Sequence, residues 1–146
     1  MFIVYELAGL ILLIFSPIII LVRIIIGKED LIRFKEKFCL FTEKSENNKT
    51  IWIHGASVGE ILSTVPIIYK LEKDKRIKKI LITSTTTSSA FVFSKFKFKK
   101  TVHQFYPIDH KIFTKKFIKI WKPNLALFVE SEIWPCMFKE LENKKI

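Results

Sequence analysis

Ile51-Trp52-Ile53-His54-Gly55-Ala56-Ser57-Val58-Gly59-Glu60 is the stretch whose reading decides the fold. A short apolar run closes on a glycine, and Ser57 with Glu60 three residues later gives the start signal of a helix. The reading is strand, tight turn, helix. The same unit recurs downstream, with strands over Ile51 to His54, Lys79 to Thr83, Thr101 to Tyr106 and Leu125 to Val129. Between them helices are expected over about Val58 to Glu72, Ser88 to Phe96 and His110 to Trp121, with a last one from Trp134. Strands alternating with helices of this length predict βαβ units, and hence an α/β fold with a parallel sheet covered by helices on both faces. Ligands of open parallel sheets bind at the carboxyl ends of the strands, so the loops there are where chemistry is expected.

Upstream of this unit the chain changes character. Residues 2–26 carry only two charges, Glu6 and Arg23, and Leu7 to Val22 carry none. As a helix the segment is about 37 Å long against a hydrocarbon core of about 30 Å. Cations follow it (Arg23, Lys28, Arg33, Lys35, Lys37), and a cleaved signal peptide would carry them before it. Residues 1–26 are therefore read as an uncleaved membrane anchor, with the rest of the chain on the cytoplasmic side by the positive-inside rule. The alternative is a buried core helix with Pro17 as its kink. In residues 27–49, Leu31, Phe34, Phe38 and Phe41 recur at helical spacing among basic residues. That pattern fits a basic amphipathic helix on a membrane surface, or a linker helix packed on the globular part. A polar stretch over 42–50 marks the boundary of a domain covering 50–146.

Composition narrows the classes further. With 146 residues, 49% hydrophobic and 27% charged, the chain can bury one core and is neither disordered nor a polytopic membrane protein. Its formal charge of +11 lies wholly on residues 27–146, which points to an anionic partner such as a phosphorylated substrate, a membrane face or nucleic acid. Nucleic acid is the least favoured of these, since no binding module or stacking platform stands out. Two cysteines, Cys39 and Cys136, make no disulfide framework, and no cluster at metal-ligand spacing accompanies His54.

Three strand ends hold the candidate chemistry. At the first, Gly55 and Gly59 permit a sharp turn and close approach of a ligand to a helix N-terminus. Glu60 there can act as a general base, or it can simply close a capping box with Ser57, and the residues alone leave both open. The second is the run of hydroxyls from Thr83 to Ser89, able to hold a sugar or phosphate. At the fourth strand, Glu130 and Glu132 follow an apolar run and either cap the next helix or serve a ligand. Lys111, Lys115, Lys119 and Lys122 form one stripe of the third helix, a solvated face or a phosphate contact.

These segments together carry a resemblance. The membrane helix, Ile51 to Glu60, the threonine-rich strand end, Tyr106-Pro107-x-Asp109 and Pro123 to Pro135 are similar, in order and spacing, to the Kdo transferases. That family moves 3-deoxy-D-manno-octulosonic acid (Kdo) from CMP-Kdo to a lipid A precursor in lipopolysaccharide synthesis. The resemblance implies the N-terminal, acceptor-side Rossmann-like half of a GT-B glycosyltransferase, with Glu60 as the base that deprotonates the acceptor hydroxyl. It implies that Glu130 stabilises the transition state and that Ser57, Gly59, Thr85 and Glu132 bind the acceptor. It further implies metal-independent transfer with CMP-Kdo as donor and no cofactor, and a place at the bacterial inner membrane. The donor-binding C-terminal half is expected to be missing from residues 1–146, which would leave this chain inactive alone. The alternative expectation is a non-catalytic, membrane-anchored remnant that binds anionic lipid or a partner protein.

Overall fold

The computed structural model describes residues 2–40, 50–129 and 132–146. Its elements follow in the order α1 (Phe2–Ile25), a 3₁₀ helix (Arg33–Phe38), β1 (Thr50–His54), α2 (Val58–Lys73), β2 (Lys79–Ser84), α3 (Thr87–Ser94), β3 (Thr101–Phe105), α4 (Lys111–Trp121), β4 (Pro123–Phe128) and α5 (Pro135–Lys144). The four strands form one parallel sheet in the order β3-β2-β1-β4. Chain order runs outward from β1 through β2 to β3, then returns to the other side of β1 for β4. That reversal makes the β1/β4 crevice the topological switch point of the sheet.

Alternation along each strand splits the core in two. Ile53, Ile80 and Ile82 face α2 and α3, where they meet Ile61, Ile68 and Phe93. Trp52 and Leu81 face the other way, onto Phe117, Ile118 and Trp121 of α4 and Met137 and Leu141 of α5. The expected α/β fold is the one found, and strand and helix limits agree within a few residues. One difference concerns β4, where the expected helical cover on both faces of the sheet is incomplete. Leu125 and Leu127 remain 45% and 38% exposed, because β4 is an edge strand that α2 does not reach across.

The segment before the sheet is docked rather than free. Arg33 in the 3₁₀ helix donates to His103 Nδ1 and to its carbonyl, and the Glu36 carboxylate accepts the Phe105 N–H at 2.8 Å. Both contacts cover the edge of β3, so the linker packs on the globular part, with Leu31 and Ile32 left exposed. The polar boundary expected at 42–49 lies outside the described residues, as does Phe41. α1 lies alongside the domain and touches it near both ends. Tyr5 Oη donates to the Asp109 carboxylate at 2.7 Å. Arg23 pairs with Glu29 at 3.0 Å, and Lys37 of the 3₁₀ helix pairs with the same carboxylate at 2.6 Å. Between these points Ser16 and Ile20 are buried. The opposite face, including Leu7, Ile11, Ile14, Ile18 and Ile25, is exposed along its whole length.

Candidate active site

The loop after β1 is built around two constraints. A Cβ on Gly55 would come within 3.1 Å of Glu60 Cβ, so any larger residue would have to push back the first turn of α2 by a few tenths of an ångström. The second is the capping box: Ser57 Oγ accepts the Glu60 N–H, and the Glu60 carboxylate accepts the N–H groups of Ala56 at 2.8 Å and Ser57 at 3.2 Å. Burial pushes the Glu60 pKa up, but the hydrogen bonds from Ser57 and Ala56 outweigh it and leave the carboxyl below its ordinary value. Glu60 is thus held ionised and in a fixed direction at the N-terminus of α2, where the helix dipole also favours the anion. A Cβ on Gly59 would meet nothing closer than Ser57 Oγ at 4.0 Å. The fold does not demand a glycine there, and the space beside the cap stays open.

The loop after β2 is stitched to the first. Thr85 Oγ1 and Ser89 Oγ both donate to the Ala56 carbonyl, at 3.1 and 3.2 Å. Thr86 caps α3 by accepting the Ser89 N–H. Beneath both loops lies His54, 1% exposed, whose Nδ1 is 2.9 Å from Thr83 Oγ1. Thr83 Oγ1 also accepts the Trp52 indole N–H. The Thr83 carbonyl, 3.1 Å from the same Nδ1, can only accept, so Nδ1 carries the ring proton and the bare Nε2 faces Glu132 at 3.5 Å. The contact is neither a hydrogen bond nor an ion pair, because Nε2 carries no proton and burial holds the His54 pKa down at about 4. Tyr106 and Trp134 stack beside His54, with ring centroids 4.2 Å (His54 to Tyr106) and 4.8 Å (Tyr106 to Trp134) apart. Burial pushes the Tyr106 hydroxyl well above its ordinary pKa, so it stays protonated.

The fold therefore brings Ser57, Gly59, Glu60 and Thr85 onto one pair of loops, with Glu132 reaching the same place across His54. Glu130 lies outside the described residues, as does Ser131. The lysine stripe is exposed, and Lys115, Lys119 and Lys122 border Pro123 at the start of β4, the opposite end of the sheet from Glu60. Sequence reasoning missed Asp109. Its carboxylate accepts the Cys136 and Met137 N–H groups at the start of α5, the cap for which Glu130 and Glu132 were the candidates. No spacing rule joins residues 27 and 28 positions apart, and the available signals were the position of Asp109 just past a strand end and its place in the Tyr106-Pro107-x-Asp109 segment of the resemblance, neither of which assigns it a cap.

Residues 32–146 match the family model of 3-deoxy-D-manno-octulosonic-acid transferase, or Kdo transferase, a match that takes in every loop described above. The chain belongs to the Kdo transferase family. A 3-deoxy-D-manno-octulosonic acid transferase of Rickettsia bellii (strain RML369-C) is 43% identical over 84% of this chain and 29% of its own length. That of Rickettsia felis (strain ATCC VR-1525 / URRWXCal2) is 35% identical over 96% of this chain and 40% of its own. A probable mitochondrial Kdo transferase of Arabidopsis thaliana is 32% identical over 75% of this chain and 24% of its own. The chain thus spans less than half the length of these Kdo transferases. The Kdo transferase match and the parallel sheet flanked by helices agree with the N-terminal GT-B half expected from the sequence.

Proposed function

We propose that this chain supplies the acceptor side of Kdo transfer from CMP-Kdo to a lipid A precursor, at the cytoplasmic face of a bacterial inner membrane. Glu60 is the general base. The observation that carries this reading is the Glu60 carboxylate at the switch point of the sheet, kept ionised by two backbone N–H groups, beside the open space at Gly59. An ionised carboxylate can accept a proton, and its fixed direction supplies the orientation that general-base catalysis needs. In the step itself the acceptor hydroxyl gives its proton to Glu60 while its oxygen bonds to the Kdo anomeric carbon. The bond from that carbon to the CMP phosphate breaks, and the electron pair leaves with CMP. Attack opposite the leaving group inverts the carbon and calls for no metal in this scheme.

The capping bonds have a consequence for the base. A carboxylate that accepts two N–H bonds is weaker than a free one, so proton transfer must run together with loss of CMP. Glu130 is assigned to stabilising the positive charge that develops on the Kdo centre. Ser57, Gly59, Thr85 and Glu132 are assigned to the acceptor sugar, and a donor-binding half to CMP-Kdo.

The test is transfer from CMP-Kdo to a lipid A precursor with a donor-binding half supplied alongside this chain. Glu60→Gln should lower the rate by about 10²–10⁴-fold, the range general-base catalysis contributes, while membrane binding is unchanged. The chain without a donor-binding half should bind acceptor and release no product. Transfer by the Gln variant at the unaltered rate would overturn the assignment of Glu60.

A further inference from the structure

The face that α1 turns toward the domain does not close on it. A cleft of about 580 Å³ lies between the helix and the strand-end loops, within the range of about 300–1,000 Å³ that holds small ligands. Its roof is one stripe of α1, including Ala8, Gly9, Leu12 and Ile19, and its floor includes Pro107, Ile108 and the rings of Tyr106 and Trp134. These walls suit an apolar chain. Two polar atoms interrupt them: Tyr106 Oη and Trp134 Nε1 are buried and have no hydrogen-bond partner among the described residues. Leaving such groups unpaired costs about 1–3 kcal/mol each. Their rings lie 4.8 Å apart, centroid to centroid, and both residues line the cleft.

The ends of the cleft differ in charge and in neighbours. Arg23 and Lys37 both line it and share the single carboxylate of Glu29, which leaves that end with a net positive charge. Thr85 also lines the cleft, and its hydroxyl holds the carbonyl of Ala56, whose N–H in turn holds Glu60. The position of α1 opens this space to lipid. A helix of 24 residues that touches the domain near both ends cannot stand across a bilayer with the domain outside it. It can lie in the plane of one leaflet, exposed apolar face outward, with the cleft opening beside the acyl chains.

We propose that the cleft beneath α1 receives one acyl chain of the phosphorylated lipid acceptor, which enters sideways from the leaflet. The chain lies against the rings of Tyr106 and Trp134, a phosphate sits at Arg23 and Lys37, and the sugar is left at the Glu60 loop. This rests on the acceptor reading above, and it adds the route and the part of the lipid that is held.

The test uses the full chain in phosphatidylglycerol vesicles whose acyl chains carry bromine, a contact quencher of tryptophan. The Trp134 contribution is isolated by subtracting the emission of Trp134→Phe. Brominated vesicles should reduce that contribution at least twofold relative to unbrominated ones. An unbrominated lipid A precursor should displace the brominated chain and restore more than half of the lost emission. Gly9→Leu adds bulk at the roof, and its Cβ meets only His110 Cδ2 at 3.6 Å, an ordinary contact; protection of α1 from hydrogen exchange checks that the helix stays docked. The substitution should abolish the quenching while vesicle binding stays unchanged. Absence of quenching, quenching that the precursor does not relieve, or quenching indifferent to Gly9→Leu would each overturn the proposal. Transfer is not read in this experiment. Retained activity of Glu60→Gln alongside intact competition would therefore overturn the base and leave the cleft standing.

Discussion

Glu60 has a structural role as a cap and, in the proposed function, the role of the base. The capping box accounts for its position completely, so position alone does not separate a structural glutamate from a catalytic one. Two substitutions separate them by their stability. Glu60→Ala removes the acceptor for two N–H groups and should cost about 0.5–2 kcal/mol, whereas Glu60→Gln keeps a carbonyl for one of them and should cost less. Thermal unfolding in detergent would check the order, and equal losses would mean that the cap contributes little. The buried histidines make a second prediction. Burial holds His54 at about 4, while burial and the charge of Arg33 hold His103 at about 3, both well below the ordinary 6.5. A folded-state pKa below the unfolded one means that the unfolded chain binds more protons. The stability from neutral histidines is therefore whole above pH 6.5 and drains as pH falls toward 4 and then 3. Glu60 and Glu72, both lowered, add a further loss only below about 4.5, their ordinary value. The melting temperature should be level from pH 8 to 7 and decline steadily from pH 6.5 to 5, and His103→Gln should flatten that decline.

Among elements, the junction of α1, α5 and the loop before α4 depends on one carboxylate. Asp109 accepts two N–H groups of α5 and the hydroxyl of Tyr5, so a single residue caps one helix and docks another. Bonds to a charged acceptor contribute about 1.5–3 kcal/mol each. Asp109→Ala should therefore destabilise the domain by about 2–4 kcal/mol, while Tyr5→Phe loses one bond and should loosen α1 with little effect on the sheet. Hydrogen exchange distinguishes them. Faster exchange confined to α1 is expected for Tyr5→Phe, and in α1 and α5 together for Asp109→Ala. Little of this junction was legible in the sequence, which gave helices with correct limits but no means of pairing Tyr5 with a residue 104 positions away.

For the whole molecule, the proposed place at a membrane raises the question of which force would hold it there. The exposed face of α1 offers apolar side chains such as Ile14, Ile18 and Ile25, 66%, 61% and 74% exposed. Burying one such side chain fully contributes about 1.5–3 kcal/mol, and a lysine near an anionic surface about 1 kcal/mol that salt screens away. Several aliphatic side chains outweigh the screened term, so the apolar contribution should dominate. The chain should sediment with phosphatidylglycerol vesicles and remain bound in 1 M NaCl. Removing residues 2–26 should release most of it at that salt concentration. Release of the full chain by salt alone would instead assign binding to its lysines.

The sequence by itself determined the alternation of strands and helices, the apolar N-terminal helix, and the loop carrying Ser57, Gly59 and Glu60. Each is a local matter of periodicity, turn chemistry and capping, written within a few residues. It also placed Thr85 on a strand-end loop, because ligand loops of a parallel sheet gather at one edge whatever the strand order. Only the tertiary structure decided the strand order that sets the β1/β4 switch point beside Glu60 and leaves Leu125 and Leu127 on an open edge. It alone brought Tyr106 and Trp134 against His54, set Asp109 under α5, and laid α1 along the domain with a cleft beneath it. Those contacts join residues tens of positions apart, and they depend on side-chain shape and charge meeting in space, which no local pattern encodes.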